Sequence, residues 1–125
     1  MHLALMVVGA HDGSKLEPQI REAAAAGTVL LIEPVPWLFE RLVERTRDIA
    51  GVTCMCACVA TRSGPVRFYT PSQEASAAQP WVSQLGSMDP GHAQAHALGL
   101  APHMVELTAT GLRFEDVLNQ VNIDT

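Results

Sequence analysis

The chain has 125 residues, 48% of them hydrophobic, which suffices to bury one modest core in one domain of ordinary size. Its formal net charge is −5 and its eight lysines and arginines are scattered, so no basic stripe follows a phosphate backbone, and the balance argues against nucleic acid as a ligand. The apolar run Leu3 to Val8 falls far short of the roughly 20 residues that span a bilayer, and no basic segment of a secretory signal precedes it, so no membrane partner and a cytoplasmic location are expected.

Leu3 to Val8 is continuous, short and ended by Gly9, which predicts a buried strand. A helix is expected from about Ser14, an N-cap residue type, with Pro18 in its first turn and Gly27 as its stop. Thr28 to Ile32 follows as a second strand. Pro36 suits the first position of a second helix, where its missing N–H has no helical partner to lose. In that helix Leu38, Phe39, Leu42, Val43 and Ile49 recur at helical spacing, Glu40, Arg41, Glu44, Arg45 and Arg47 face solvent, and Gly51 closes it. Val52 to Ala60 is expected as a third strand. Cys54, Cys56 and Cys58 alternate along it at about 6.6 Å, a poor spacing for a disulfide or a tetrahedral metal site. They read as small buried apolar side chains, and no metal is expected.

This β-α-β-α-β order predicts parallel strands joined by right-handed crossovers, an open, Rossmann-like α/β sheet. Beyond Ala60 the rhythm changes. Residues 61–104 read as a small irregular insertion in a single domain covering 1–125: a turn at TRSGP, a short strand at Val66 to Tyr69, a polar, alanine-rich loop from Pro71 to Pro80, and a short helix near Gly91 to Leu98. Val105 to Thr108 is expected as a strand beside Val66 to Tyr69, Phe114 to Asn119 as a helix with Glu115 and Asp116 on its solvated face, and Val121 to Asp124 as a further core strand.

Ligands of open α/β sheets bind beyond the carboxyl ends of the strands, where the turn Gly9-Ala10-His11-Asp12-Gly13 lies. Its glycines allow close backbone approach, and the amides opening the next helix favour accepting groups. Glu33 ends the second strand about twenty residues later, the place from which a carboxylate accepts hydrogen bonds from ribose hydroxyls. The spacing is G-x-x-x-G rather than G-x-G-x-x-G, and no phosphate loop of the G-x-x-x-x-G-K-[ST] type is present. A nucleoside without phosphates therefore fits better than a nicotinamide dinucleotide, and S-adenosylmethionine is the cofactor expected.

VVGAHDGS, LIEPVPWLFERL, CACVATRSGPVRFY, WVSQLGSMDPGHAQAH and the terminal VNIDT, in that order, resemble the FkbM family of S-adenosylmethionine-dependent methyltransferases. The resemblance implies a class I methyltransferase fold and methyl transfer to a hydroxyl of a small molecule or sugar. It implies that Gly9, Ala10, His11, Asp12 and Gly13 form the cofactor turn, that Glu33 is the ribose acid with Pro34 beside it, and that Ala57 and Cys58 border the adenine. Methyl transfer by direct displacement requires alignment above all, so no single catalytic residue follows from the sequence. The candidates are His92 and His96, four apart on one helical face in the acceptor-side loop, and Asp124 near the transferred methyl.

Two departures accompany the resemblance. Many relatives carry an acidic or amide residue where Val7 stands, and the family continues past Ile-Asp-Thr with Glu-Gly and further strands. Relative to the family the chain therefore reads as a half-sheet lacking the C-terminal strands, with an unpaired edge; either the sequence is part of a longer product or a second copy pairs with that edge, and a homodimer is expected. The alternative reading is a catalytically inactive remnant that serves as a binding or dimerisation module.

Overall fold

The structure is a computed structural model and describes residues 2–78, 86 and 104–120. It is mixed α/β. The elements run β1 (Leu3–Val8), α1 (Glu17–Ala26), β2 (Thr28–Ile32), α2 (Pro36–Thr46), β3 (Val52–Met55), β4 (Cys58–Val59), β5 (Gly64–Pro71), α3 (Gln73–Ala78), β6 (Met104–Leu112) and α4 (Phe114–Gln120). Residues Met1–Gly64 with Thr110–Thr125 form one compact unit and Pro65–Ala109 a second.

In the first unit β1, β2 and β3 make a parallel sheet in the order β1-β2-β3, with Val8 opposite Ile32 and Ile32 opposite Met55. The central strand organises the core. Successive side chains of a strand point to opposite faces, and Val29, Leu30, Leu31 and Ile32 are each fully buried. Val29 and Leu31 pack with Ile20 of α1 and Leu42 of α2, while Leu30 and Ile32 pack with Ala57, Leu112 and the α4 residues Val117 and Leu118. Both faces of β2 are thus covered, the condition under which a strand reads as an unbroken apolar run. The equally apolar β1 differs from its expected burial: all but its last residue are half-buried and Val8 is 54% exposed, because β1 has a neighbour on one side only among the described residues.

Helix α2 begins at Pro36 as expected and buries Leu38, Leu42 and Thr46 along one stripe. Helix α1 starts later than expected. Its N-cap is Leu16 rather than Ser14, since two successive turns, closed by Gly13 N–H to the Ala10 carbonyl and Leu16 N–H to the Gly13 carbonyl (both 3.1 Å), precede it.

The third strand is a larger correction. The expected run Val52 to Ala60 breaks after Met55: the chain leaves the first sheet through Cys56 and Ala57, buries Ala57 in the core, and enters a second sheet as β4. That sheet has the order β4-β6-β5, with Cys58 opposite Gly111 and Val59 opposite Leu112 in parallel. The three cysteines consequently share no face. Cys54 is half-buried, Cys56 exposed and Cys58 buried, and all are free thiols.

The loop expected from Pro71 to Pro80 contains α3, whose start is capped by the Ser72 hydroxyl accepting the Ala75 N–H at 3.1 Å. Strand β6 lies next to β5, as the pairing of Val105 to Thr108 with Val66 to Tyr69 anticipated. Asp116 does more than face solvent. It accepts from the Arg113 guanidinium at 3.1 Å and from the Ser63 hydroxyl, and Ser63 in turn accepts the Arg113 N–H, so the turn before β5 is tied to the start of α4. The expected helix near 91–98 and strand 121–124 lie outside the described residues. Among the described residues no helix is long and apolar enough to cross a membrane.

Gly27 marks a close crossing. Its backbone is extended, which any residue adopts, but a Cβ there would sit 2.8 Å from the His2 carbonyl oxygen and 3.2 Å from the Ala4 Cβ. Gly27→Ala is expected to destabilise the fold by about 1 to 3 kcal/mol through overpacking against backbone, measured by urea unfolding. An unchanged midpoint would show that the crossing is looser than described.

Candidate functional site

The carboxyl ends of β1 and β2 are joined by one turn and one carboxylate. The Gly9 and Ala10 amides both donate to the Ile32 carbonyl, at 2.8 and 2.9 Å. His11 N–H donates to Glu33 Oε1 at 2.7 Å and Val35 N–H to Glu33 Oε2 at 2.9 Å, so one side chain holds the loop after β1 and the loop after β2. Glu33 N–H donates to the Met55 carbonyl at 3.1 Å, which fixes the base of the same residue to β3. The carboxylate also lies just before the N-terminus of α2, where a negative charge is favoured by the helix dipole. Glu33 is only 5% exposed. Burial pushes its carboxyl up from the ordinary value, opposed by the hydrogen bonds from Val35 and His11.

The turn has an unusual backbone. Gly9 and Gly13 both have φ of +78° and His11, which is not glycine, has φ of +59°. A Cβ at Gly9 would meet nothing within 4 Å, whereas one at Gly13 would press to 2.8 Å from Leu42 Cδ1 of α2. Gly13 therefore suits its positive φ, and a Cβ there would also force the Leu42 side chain of α2 to shift. Asp12 closes the turn on the inside, its Oδ1 accepting the Ser14 N–H at 3.0 Å and facing His11 Nδ1 at 3.1 Å. Partial burial pushes the Asp12 carboxyl up, but hydrogen bonds from the Ser14 amide and hydroxyl, then the His11 ring, outweigh it and hold it at about 2.

Most of the amides of this turn are already engaged. Those of Gly9, Ala10, His11, Gly13 and Ser14 all have internal acceptors, and the Asp12 N–H alone within this stretch has none among the described residues. A pyrophosphate cradle presents several amides to its ligand; this turn presents one. The structure thus brings Gly9, Ala10, His11, Asp12, Gly13, Glu33 and Pro34 together, with Gly9 exposed, His11 and Asp12 half-buried, and Ala10, Gly13, Glu33 and Pro34 buried.

Ala57 and Cys58 are 1% and 7% exposed, and Ala57 packs in the core with Leu30 and Ile32. The exposed residue of that segment is Cys56, whose thiol faces the Pro34 carbonyl at 3.8 Å and is pushed up by burial and by the Glu33 carboxylate. His92, His96 and Asp124 lie outside the described residues. Among the described residues no group of three or more histidine, cysteine, aspartate or glutamate side chains is arranged to hold a metal ion.

Arg45 is a residue that sequence reasoning placed in solvent. Its Nε donates to the Asp12 carbonyl at 3.1 Å and its Nη1 lies 3.9 Å from Glu17 Oε1. No signal in the sequence separates it from Arg41 or Arg47 on the same polar face.

Two measurements probe this geometry. Asp12 titrates near 2 when folded against 3.8 ordinarily, so its contribution is complete above about pH 4 and is lost as pH falls through 2. Asp12→Ala should cost about 2 kcal/mol at pH 7, with the gap from wild type narrowing towards pH 2; a gap independent of pH in denaturant titrations would remove the assigned interactions. Cys56 should react with a disulfide reagent more slowly than a small free thiol at pH 8, and Glu33→Gln should speed it, because a neutral neighbour no longer opposes the thiolate. Equal rates in the two proteins would separate Cys56 from Glu33.

No protein-family model matches the chain, and no curated protein and no solved structure matches it.

Proposed function

We propose that this chain binds S-adenosylmethionine across the tips of β1 and β2 and, in line with its resemblance to the FkbM family, serves O-methyl transfer to a hydroxyl of a small molecule or sugar. The observation that carries the reading is the carboxylate of Glu33 drawn against the glycine turn at the ends of two parallel strands. A carboxylate has about four acceptor positions, and one N–H on each oxygen leaves a position on each for a ribose hydroxyl.

The state of the turn supports a ligand without phosphates. One amide without an internal acceptor suits a single accepting group, such as the carboxylate or a hydroxyl of the methyl donor, better than a pyrophosphate. The buried, negatively charged Glu33 also repels a phosphate placed near it. A Rossmann-like methyltransferase sheet is part of this proposal: the parallel order β1-β2-β3 with α1 and α2 on one face agrees with it. In this reading alignment of donor and acceptor supplies the rate, and the acceptor-side groups are His92, His96 and Asp124.

Calorimetric titration with S-adenosylhomocysteine and, separately, with NAD tests the ligand class. Binding of the first and no response to the second is expected, and Glu33→Gln should weaken binding by about 1 to 3 kcal/mol. Tight NAD binding with no response to S-adenosylhomocysteine would overturn the proposal. Turnover on a hydroxylated acceptor distinguishes an enzyme from a binding module.

A further inference from the structure

We infer that Arg45 is a positioning residue that locks the glycine turn in its ligand-ready conformation, an assignment that rests on the reading of that turn as a nucleoside site. The peptide between Asp12 and Gly13 has two polar ends. Its carbonyl accepts from Arg45 Nε at 3.1 Å, and its N–H donates to the Ala10 carbonyl at 3.1 Å. Rotating such a peptide by half a turn changes ψ of the first residue and φ of the second in opposite senses. Glycine populates positive and negative φ about equally, so the +78° at Gly13 is not held by the residue that adopts it. It is held by what grips the two ends of the peptide.

Arg45 is built for that grip. It sits in the last turn of α2, its Cδ would lie 3.6 Å from a Gly13 Cβ, and its guanidinium addresses two partners from a rigid fork: the Asp12 carbonyl through Nε and Glu17, the first residue of α1, through Nη1. The side chain is 38% exposed and the Glu17 pairing is long, so the ion pair itself adds little. The Glu17 carboxylate draws the guanidinium towards the turn, and the Nε bond supplies the direction. Lysine retains the charge but has a single nitrogen and reproduces only part of the fork.

The test is hydrogen exchange at the Gly13 amide by NMR in wild type, Arg45→Ala and Arg45→Lys, beside titration of each with S-adenosylhomocysteine. Arg45→Ala should raise Gly13 exchange and weaken binding by about tenfold each, the effect of losing one charge-assisted hydrogen bond. Exchange at Leu30 and Leu31 of β2 should stay at the wild-type rate, and Arg45→Lys should restore part of both losses. Unchanged Gly13 exchange, unchanged affinity, or faster exchange spread equally into β2 would each overturn the assignment. If Arg45→Ala shows the Gly13 effect but the wild-type chain does not bind S-adenosylhomocysteine, the nucleoside reading is overturned, and with it any ligand for Arg45 to position.

Discussion

A single buried carboxylate sets the geometry of the top of the sheet. Two loops leave the parallel strands β1 and β2 at the same end; their first amides reach the Ile32 and Met55 carbonyls, and the His11 and Val35 amides that follow have neither helix nor ladder partner. Glu33 accepts one N–H from each loop, and the Ile32 carbonyl accepts two more from the first. Buried amides without acceptors cost roughly 1 to 3 kcal/mol each, so the loops have little freedom to part while the carboxylate is present. The charge is tolerated in so buried a place because it is hydrogen-bonded on both oxygens and stands at the positive end of α2. Structure and candidate function share this one residue: the group that would meet a ribose is also the group that assembles the walls around it.

Much of the first unit is legible from the chain. Proline at 36 and the helical spacing of Leu38, Phe39 and Leu42 mark α2, and the apolar run at 29–32 marks a strand covered on both sides. The break at Cys56 and Ala57 is not legible, because both residues extend an apolar run that suits one long strand, while Ala57 packs in a core cluster with residues distant in sequence, Leu112 and Val117 among them. Helix α3 differs from the expected loop although its signal is present: Ser72 stands three residues before the amide it caps, ahead of the alanine-rich QEASAA. Arg45 and Arg47 read alike on a helical wheel. Only the three-dimensional approach of the turn to α2 makes one a clamp, while the other pairs with Glu44 at the surface.

The turn after β1 combines three residues of positive φ with a nearly complete set of internal hydrogen bonds. Backbone of that kind is held by its surroundings rather than by local preference. Here the surroundings are Glu33 below, α2 at the side and the Asp12 carboxylate within. Such preorganisation lowers the ordering cost a ligand would meet. The same saturation limits chemistry, since the turn has few donors left to offer, and selection of a ligand there would rest on shape and on the Glu33 carboxylate.

Strand β1 is apolar at every position, so its side chains carry no alternation to tell one register from the next. The contacts at its two ends supply that information. At one end the His2 carbonyl accepts the Thr28 N–H where Gly27 leaves room for it, and at the other the Gly9 and Ala10 amides converge on Ile32. A slip by one residue would break both anchorages together and exchange the helix-facing and α4-facing halves of the strand. Glycine at 27, far from the turn, therefore helps to decide which atoms of the chain arrive at the carboxyl end of the sheet.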